Sequence, residues 1–529
     1  MIVDLATERE EKQSRETDVL ILGAGIAGLV LASRLRSKDI RVTVLESGGR
    51  EQAADIHPLN RAVQLGDAYS GAARGRFRCL GGTSTRWGGA LIPFVESDLA
   101  ARPYLGLEGF PIGVDAVRPY LAEVERLFQV DGGSYEEEYV HQTASAKYVP
   151  TGDPDFKTRF AKWPPFQRRN VAVLFSPLIE RDPDLEIWIN STATKFDLNR
   201  DSGRITAVTA RCEGNRSVIV SAKHVVICAG AIESTRLLLL LDRQYDQRVF
   251  SGCNALGRFF YDHISTHVAD IRANNVANLN RMAGFRFSGS TMRSIRFEFS
   301  AAAQERECVG SAFAHISFKT EKSTGFDSLR DFMRSRQRTG RFRASLLLDG
   351  LRDLPYLAKM GLWRYRYKQL LWPVPARYEL HLVAEQLPRA NNYITLSSDH
   401  DRFDLPIPAI RWTVDQADVK TFTVFKRCFE DYWSRQGLRR IADLDWTYSP
   451  DRSLVQFGNS DVYHPGGSTR MGVNRRTAVV DSNLQAFDIA NLSVASTSVF
   501  PSGGGENPTL MLMLFTMRLA DHLGGRFGF

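Results

Sequence analysis

Hydrophobic and polar positions change period several times along the chain, and each change marks an element. Asp18-Val19-Leu20-Ile21-Leu22 is a short apolar run, and after Gly28 the apolar positions Leu29, Leu31, Ala32 and Leu35 fall at helical spacing, so strand, turn and helix are predicted in that order. A second apolar run, Val42-Thr43-Val44-Leu45, reads as the next strand. Farther on, Arg377-Tyr378-Glu379-Leu380-His381-Leu382-Val383 and Tyr393-Ile394-Thr395-Leu396 alternate with period two, as strands of one antiparallel sheet with a covered face do. Leu237 to Leu241 and Met511 to Phe515 are short apolar runs that read as buried core, and no run reaches the roughly 18 uncharged apolar residues that a membrane-spanning helix requires. The stretch through Glu16 is polar and charged, without the apolar stretch of a signal peptide, so a cytoplasmic protein is expected. There are no internal repeats or low-complexity tracts.

The turn between the first strand and helix is Gly23-Ala24-Gly25-Ile26-Ala27-Gly28. In such a turn the first glycine permits the tight bend, the second lets backbone approach a pyrophosphate, and the third lets the helix pack on the strand, while the helix N-terminus attracts phosphate. Glu46 lies 23 residues beyond Gly23 at the end of the second strand, where an acid accepts ribose hydroxyls. Together these suit an adenine dinucleotide. They leave FAD and NAD undistinguished, because both carry the same ADP half.

Two further glycine-rich loops follow, Cys79-Leu80-Gly81-Gly82-Thr83-Ser84-Thr85-Arg86-Trp87-Gly88-Gly89 and Pro501-Ser502-Gly503-Gly504-Gly505-Glu506-Asn507-Pro508, the latter leading into a helical run from Thr509 to Leu523. With the Ala222–Ser234 stretch, the block from Val462 to Gly472 and the stretch from Asn491 to Pro501, they resemble the glucose–methanol–choline (GMC) oxidoreductase family, and the Asn507-Pro508-Thr509-Leu510 segment resembles its pyranose-oxidase branch. The resemblance implies FAD, held by Gly23, Gly25, Ile26, Ala27 and Gly28, by Glu46 and Ser47, and by Arg78, Gly81, Gly82, Thr83, Ser84, Arg86, Trp87, Gly88 and Gly89. It adds Ala193, Ala229, Gly230, Ser234, Ser496, Asn507, Pro508 and Thr509 to the same set. Arg86 stands where many relatives carry a histidine bonded covalently to the flavin. A guanidinium cannot form that bond, so dissociable FAD is expected. Ser496 stands where many relatives have an aspartate, and its hydroxyl still hydrogen-bonds.

His464 and Asn507 are 43 positions apart and form the candidate catalytic pair. An imidazole takes a hydroxyl proton near neutral pH, and a neutral amide holds the same oxygen without competing for the proton. The bland alternatives are a structural loop histidine and a helix-capping asparagine. An alcohol resembles water, with a pKa of about 15.7, against about 6.5 for imidazole. Full prior deprotonation would therefore cost roughly 9 pKa units, or about 12 kcal/mol. Proton and hydride are expected to leave nearly together, the proton to His464 and the hydride to flavin N5, with Asn507 orienting the oxygen.

Other chemistry has little support. His263 and His267, four apart, would share a face if helical, but no Glu-x-x-His pattern or convergent cysteine joins them, and a structural role is expected. The 6 cysteines show no CxxC spacing, which argues for reduced thiols and no metal. No GxSxG or HExxH hydrolase motif occurs.

The 529 residues exceed one ordinary core, and the scattered motifs imply two interleaved domains. We expect an α/β architecture: a doubly wound Rossmann-type FAD domain from residues 1–100, 170–270 and 455–529, and a discontinuous α+β substrate domain on an antiparallel sheet from 101–169 and 271–454.

The net charge of +8 is uneven. Arg330, Arg334, Arg336, Arg338, Arg341 and Arg343 crowd one stretch, and Trp363-Arg364-Tyr365-Arg366-Tyr367-Lys368 follows, in a basic, aromatic insertion at about 328–375. A solvated insertion is the favoured reading; a lid or oligomer contact comes next, then contact with an anionic membrane surface or an acidic carrier. Nucleic acid is not expected. The function expected is oxidation of a CH–OH group of a sugar, glycoside or related cyclic polyol. A sterol-like or aliphatic alcohol, an antibiotic aminosugar, and a redox-neutral hydroxynitrile-lyase-type reaction are the alternatives. Oxygen, a quinone or a carrier protein remain open as electron acceptor.

Overall fold

The computed structural model describes the chain apart from residues 53–55, 142, 144, 145, 215, 321–324, 340–352, 450–459, 462 and 529, and counts and absences below are of the described residues. Runs of β-branched and leucine side chains build the first sheet, which has eight strands. In spatial order these are β1 (Ile2–Asp4), β6 (Leu185–Ile189), β3 (Val42–Leu45), β2 (Lys12–Leu22), β9 (Ser217–Ile227), β8 (Arg204–Arg211) and β7 (Thr192–Asn199), with β19 (Leu492–Val494) beside β9. The pairs from β1 through β9 and β19 are parallel, while β7, β8 and β9 pair antiparallel. Val19, Leu20, Ile21 and Leu22 at the centre are 0–2% exposed, as a strand covered by helices on both faces must be. The helices Ile26–Arg36, Gly230–Gln244 and Thr509–Arg526 supply that cover, and the first packs against the last. The expected strand at Asp18–Leu22 starts earlier, at Lys12: its polar half pairs with Ser217–Ser221 of β9, which pairs on its other edge with β8.

The second sheet is mainly antiparallel, ordered β11 (Arg286–Ser288), β12 (Thr291–Phe299), β13 (Ala312–Lys319), β14 (Arg377–Glu385), β10 (His263–Ala273) and β17 (Ala442–Trp446). β5 (Phe156–Trp163) pairs with β12, and β18 (Ser460–Asp461) with β10. One face is apolar and packs on the Gln416–Arg435 helix, where Phe156, Phe297, Phe299, Phe425, Phe429, Tyr432 and Trp433 form a buried aromatic cluster. The other face is polar and charged, with Arg296 and Glu298 on β12, Glu385 on β14 and His263 on β10.

One sequence expectation needs correction. Tyr393–Leu396 is a strand, but it does not join Arg377–Val383. It belongs to β15 (Tyr393–His400), which pairs with β16 (Pro406–Trp412), and β16 pairs with β4 (Val63–Gly66) in a separate three-stranded sheet. Period-two alternation says that a strand has one covered face and does not say which sheet covers it. His263 and His267 both lie on β10. The division at about 100, 170, 270 and 455 stays a proposal: β10 runs across the position near 270, and β4, within 1–100, pairs with β16, within 271–454.

Phe429 is fully buried at the centre of the aromatic cluster. We predict that Phe429→Ala costs about 3–5 kcal/mol of stability, read by chemical denaturation. A loss below about 1 kcal/mol would show that the cluster repacks around the cavity.

Candidate active site

A cleft of about 220 Å³ opens at the C-terminal ends of β2, β3 and β9, the place where open α/β sheets bind ligands. Gly23, Gly25, Ile26, Ala27, Glu46, Ser47, Arg78, Gly82, Thr83, Ala229, Gly230, Ser496 and Thr509 line it, all from the expected set. At its far end it reaches Tyr463 and Pro465, the neighbours of His464. The glycines divide the work as their chemistry requires. A Cβ on Gly28 would sit 1.9 Å from the Gly23 carbonyl oxygen, so helix and strand touch there, whereas a Cβ on Gly25 would meet nothing within 4 Å. The Gly25 backbone therefore faces open space at the head of the Ile26–Arg36 helix. Gly82 of the second loop comes against it, its own Cβ position 3.0 Å from Gly25 Cα.

Glu46 is 5% exposed, and its carboxylate accepts hydrogen bonds from the Ala24 N–H at 2.9 Å and the Gly48 N–H at 2.8 Å. Burial pushes its carboxyl up from the ordinary range. A carboxylate has about four lone-pair sites, so acceptor capacity beyond these two N–H groups is left for a ribose hydroxyl. Arg78 fixes the neighbouring wall, donating to Ser47 Oγ at 2.8 Å and to Glu233 Oε2 at 2.7 Å. An open backbone at a helix N-terminus, an acid beside it and a long cleft suit an adenine dinucleotide.

The remaining expected residues stand outside the lining. Gly81 and Ser84 are buried in the second loop, and Arg86 and Gly88 are exposed on it. Gly89 lies against Arg169, and Trp87 donates its indole N–H to the Arg169 carbonyl at 2.7 Å. Ala193 is on β7, and Ser234 is fully buried in the Gly230–Gln244 helix. Asn507 is half-buried, and Pro508 is the buried residue that starts the last helix.

His464 and Asn507 do meet: Asn507 Nδ2 lies 3.0 Å from His464 Nε2. The loop carrying His464 is clamped to the start of β10. Tyr261 and Gly466 exchange backbone hydrogen bonds of 3.2 and 2.9 Å, and the His464 N–H donates to Asp262 Oδ1 at 2.6 Å. The same carboxylate accepts from the His263 N–H at 2.7 Å and, through Oδ2, from the Tyr69 hydroxyl at 2.8 Å. His263 stands edge-on to His464 with ring centroids 5.1 Å apart, and its Nε2 is 2.8 Å from the Gly504 carbonyl. Beneath Asn507, buried Arg296 donates to Glu506 Oε2 and to Asn507 Oδ1. Burial, then His263 and Arg296, hold His464 well below the ordinary imidazole pKa.

Sequence reasoning passed over Arg296, Asp262 and Tyr69. His263, read there as structural, packs on the candidate base. Of the arginines in the basic segment, Arg341 and Arg343 lie outside the described residues, as does the side chain of Arg338. Of the described part, the Gly325–Thr339 helix is not wholly solvated. Gln337 is 4% exposed and donates to the carbonyls of Ser84 at 3.2 Å and Trp87 at 2.9 Å, while its own carbonyl accepts from Asn170 Nδ2 at 3.0 Å. No described helix is long and apolar enough to cross a membrane, and no described group of His, Cys, Asp and Glu is arranged to hold a metal.

Residues 388–516 and 167–242 match family models described as GMC oxidoreductase, and residues 21–51 match a NAD(P)-binding Rossmann-like domain. The chain is similar to a 2-methyl-1,2-propanediol dehydrogenase of Mycolicibacterium austroafricanum, 22% identical over 97% of this chain and 96% of that protein. It is 31% identical to a pyranose 2-oxidase of Lyophyllum shimeji over 25% of this chain and 20% of that protein. A solved formate oxidase shares the fold, with a TM-score of 0.60 and 15% identity over 97% of this chain and 99% of that one.

The glycine geometry separates folding from binding. Gly25→Ala is expected to keep stability within about 1 kcal/mol and to weaken flavin retention. Gly28→Ala is expected to cost about 1–3 kcal/mol by overpacking the helix against the turn. Thermal unfolding of each variant, with bound flavin counted by absorbance, checks both; full flavin occupancy in the Gly25 variant would contradict the assignment of that backbone to the cofactor.

Proposed function

From a chain that belongs to the GMC oxidoreductase family, FAD enzymes acting on alcohols, we propose oxidation of a CH–OH group of a sugar, glycoside or related cyclic polyol to a carbonyl, with His464 as general base. The observation that carries it is the 3.0 Å contact between His464 Nε2 and Asn507 Nδ2, next to the Tyr463 and Pro465 lining of a cleft that also takes in the Gly25 backbone. The Gly23–Gly28 turn, Glu46, Arg78 and the Gly82–Thr83 stretch would hold FAD in that cleft, where it would supply the acceptor for the hydride of the alcohol carbon.

The substrate hydroxyl displaces the direct His464–Asn507 contact. Its oxygen takes the amide hydrogen of Asn507, and its hydrogen goes to the lone pair of His464 Nε2, so the proton leaves to nitrogen while the carbon gives up its hydride. His464 has to be neutral for this. Its lowered pKa keeps it neutral across the physiological range. Protonation at lower pH removes the base, so the rate of flavin reduction is expected to be flat from about pH 6.5 upward and to fall only below it. The sugar class rests on the pyranose 2-oxidase similarity and the Asn507-Pro508-Thr509-Leu510 segment; the diol dehydrogenase similarity makes a small aliphatic alcohol the rival.

Anaerobic titration with monosaccharides, glycosides, cyclitols and simple alcohols tests the reading. Bleaching of the flavin by a sugar-like compound is expected, and recolouring when air is readmitted identifies oxygen as an acceptor. Bleaching by aliphatic alcohols alone would move the substrate class, and no bleaching by any alcohol would sink the oxidation. His464→Ala is expected to keep its FAD and to reduce it about 10²–10⁴-fold more slowly, with Asn507→Ala affected less. Undiminished flavin reduction in the His464 variant would remove the base assignment. We also propose that the FAD is dissociable, given Arg86 in the second loop: acid precipitation should release the yellow colour into the supernatant, and colour kept in the pellet would show a covalent bond.

A further inference from the structure

An asparagine amide can sit two ways round, and only one of them leaves His464 able to act as a base. With its oxygen toward His464, Asn507 would require a hydrogen on Nε2, and the ring would present no lone pair to an alcohol. With its NH₂ toward His464, the amide donates, Nε2 accepts, and the ring proton resides on Nδ1. Something has to select between them, and the candidate lies on β12.

Arg296 is 5% exposed, and it reaches across from the polar face of the second sheet to Asn507. A guanidinium has five N–H donors and no acceptor, so the atom it meets on Asn507 has to be the carbonyl oxygen. The NH₂ is thereby turned to His464 Nε2. We propose that Arg296 is a positioning residue that locks the Asn507 amide and, through it, keeps Nε2 of His464 bare; the proposal rests on the reading of His464 as base.

The seat of Arg296 is built for one orientation. Its Cζ lies 4.1 Å from the Phe313 ring centroid, one nitrogen is held by Glu506, which is fully buried, and the other is left for Asn507. Glu506 in turn has Arg159 within 3.6 Å, and Arg159 is 2.7 Å from Glu298. Burial and Arg159 bring the Arg296 pKa down to about 9, so it remains a cation at neutral pH. That charge adds to the lock, because a cation beside His464 disfavours its protonation. The charged and titratable groups facing His464 are Arg296 from β12, His263 from β10, Asp262 just before β10, and Glu506 before the last helix. The Arg159–Glu298 pair and the Arg102–Glu385 pair lie behind them.

The test uses the flavin-loaded enzyme labelled with ¹⁵N in its histidine rings, the His464 signals being identified by their loss in His464→Ala. Nitrogen shifts report which ring nitrogen carries the proton without any substrate. The expected result is a bare Nε2 and protonated Nδ1 in the wild type and in Arg296→Lys, which keeps a donor-only cation. In Arg296→Gln, which can donate or accept, mixed tautomers are expected, and the acid limb of the flavin-reduction profile should move up by about one pH unit or more. A Gln variant with a bare Nε2 and an unmoved acid limb overturns the proposal. So does a Lys variant with mixed tautomers, and that variant carries the test alone if the Gln protein does not fold. Failure of every alcohol to bleach the flavin, with the tautomers behaving as expected, would strike the proposed function and leave the positioning role standing.

Discussion

The carboxylate of Asp262 is the point on which the site hangs. It is fully buried, and a buried carboxylate without donors would cost several kcal/mol or lose its charge. Here it collects the Tyr69 hydroxyl and the backbone N–H groups of His263 and His464, from three stretches of chain far apart in sequence. Hydrogen bonds to a charged acceptor are worth about 1.5–3 kcal/mol each, and much more is lost when one is broken in a dry interior. The loop that brings His464 to the cleft has little regular structure of its own. Its placement follows from the need to satisfy Asp262 and from the backbone exchange between Tyr261 and Gly466.

Around that anchor the polar face of the second sheet carries a dense set of buried ion pairs. Arg102 with Glu385, Arg159 with Glu298, and Arg296 with Glu506 all lie within the interior. Isolated buried pairs are poor stabilisers, because desolvation offsets most of the attraction. What they supply here is a fixed field in a low-dielectric region. Burial and the Arg296 cation beside it favour the neutral imidazole of His464. Asp98 shows how strong the effect of burial is: its carboxyl is pushed up to about 7 by burial and by Glu298. The aromatic cluster on the opposite face gives this charged layer a rigid floor.

Legibility in the sequence followed locality. The Gly23–Gly28 turn and its helix were readable because their chemistry is contained in one short stretch, and Gly23 and Gly28 each have a steric reason. His464 and Asn507 were readable because an imidazole and an amide in glycine-rich loops recur as a pattern. Arg296 was hidden. It sits in Arg293-Ser294-Ile295-Arg296-Phe297-Glu298, whose alternation announces a strand, but only the pairing of β12 with β5 and β13 and the approach of the last loop make its outward face the floor of the site. Tyr69 and Asp262 were hidden for the same reason, being joined across 193 positions by one hydrogen bond. The misplacement of Tyr393–Leu396 has a related cause, since sheet membership depends on partners that a local pattern does not encode.

The basic segment shows how charge composition misleads when one side chain decides the packing. Arginines of the Gly325–Thr339 helix pair at helical spacing with their own neighbours, Arg330 with Asp327 and Arg334 with Asp331, which is what a solvated face does and what the composition suggested. Gln337 does the opposite. Its amide spends both hydrogens on carbonyls of the second glycine-rich loop, and Asn170, whose Oδ1 caps the short helix at Val171, returns a hydrogen bond to its backbone. Those carbonyls belong to Ser84 and Trp87, in the loop whose Gly82 closes on Gly25. The helix is thus tied to the same loop that forms one wall of the cleft, and a displacement of either would leave buried amide groups without partners. Cleft shape and the seating of the insertion are therefore coupled through hydrogen bonds to the backbone.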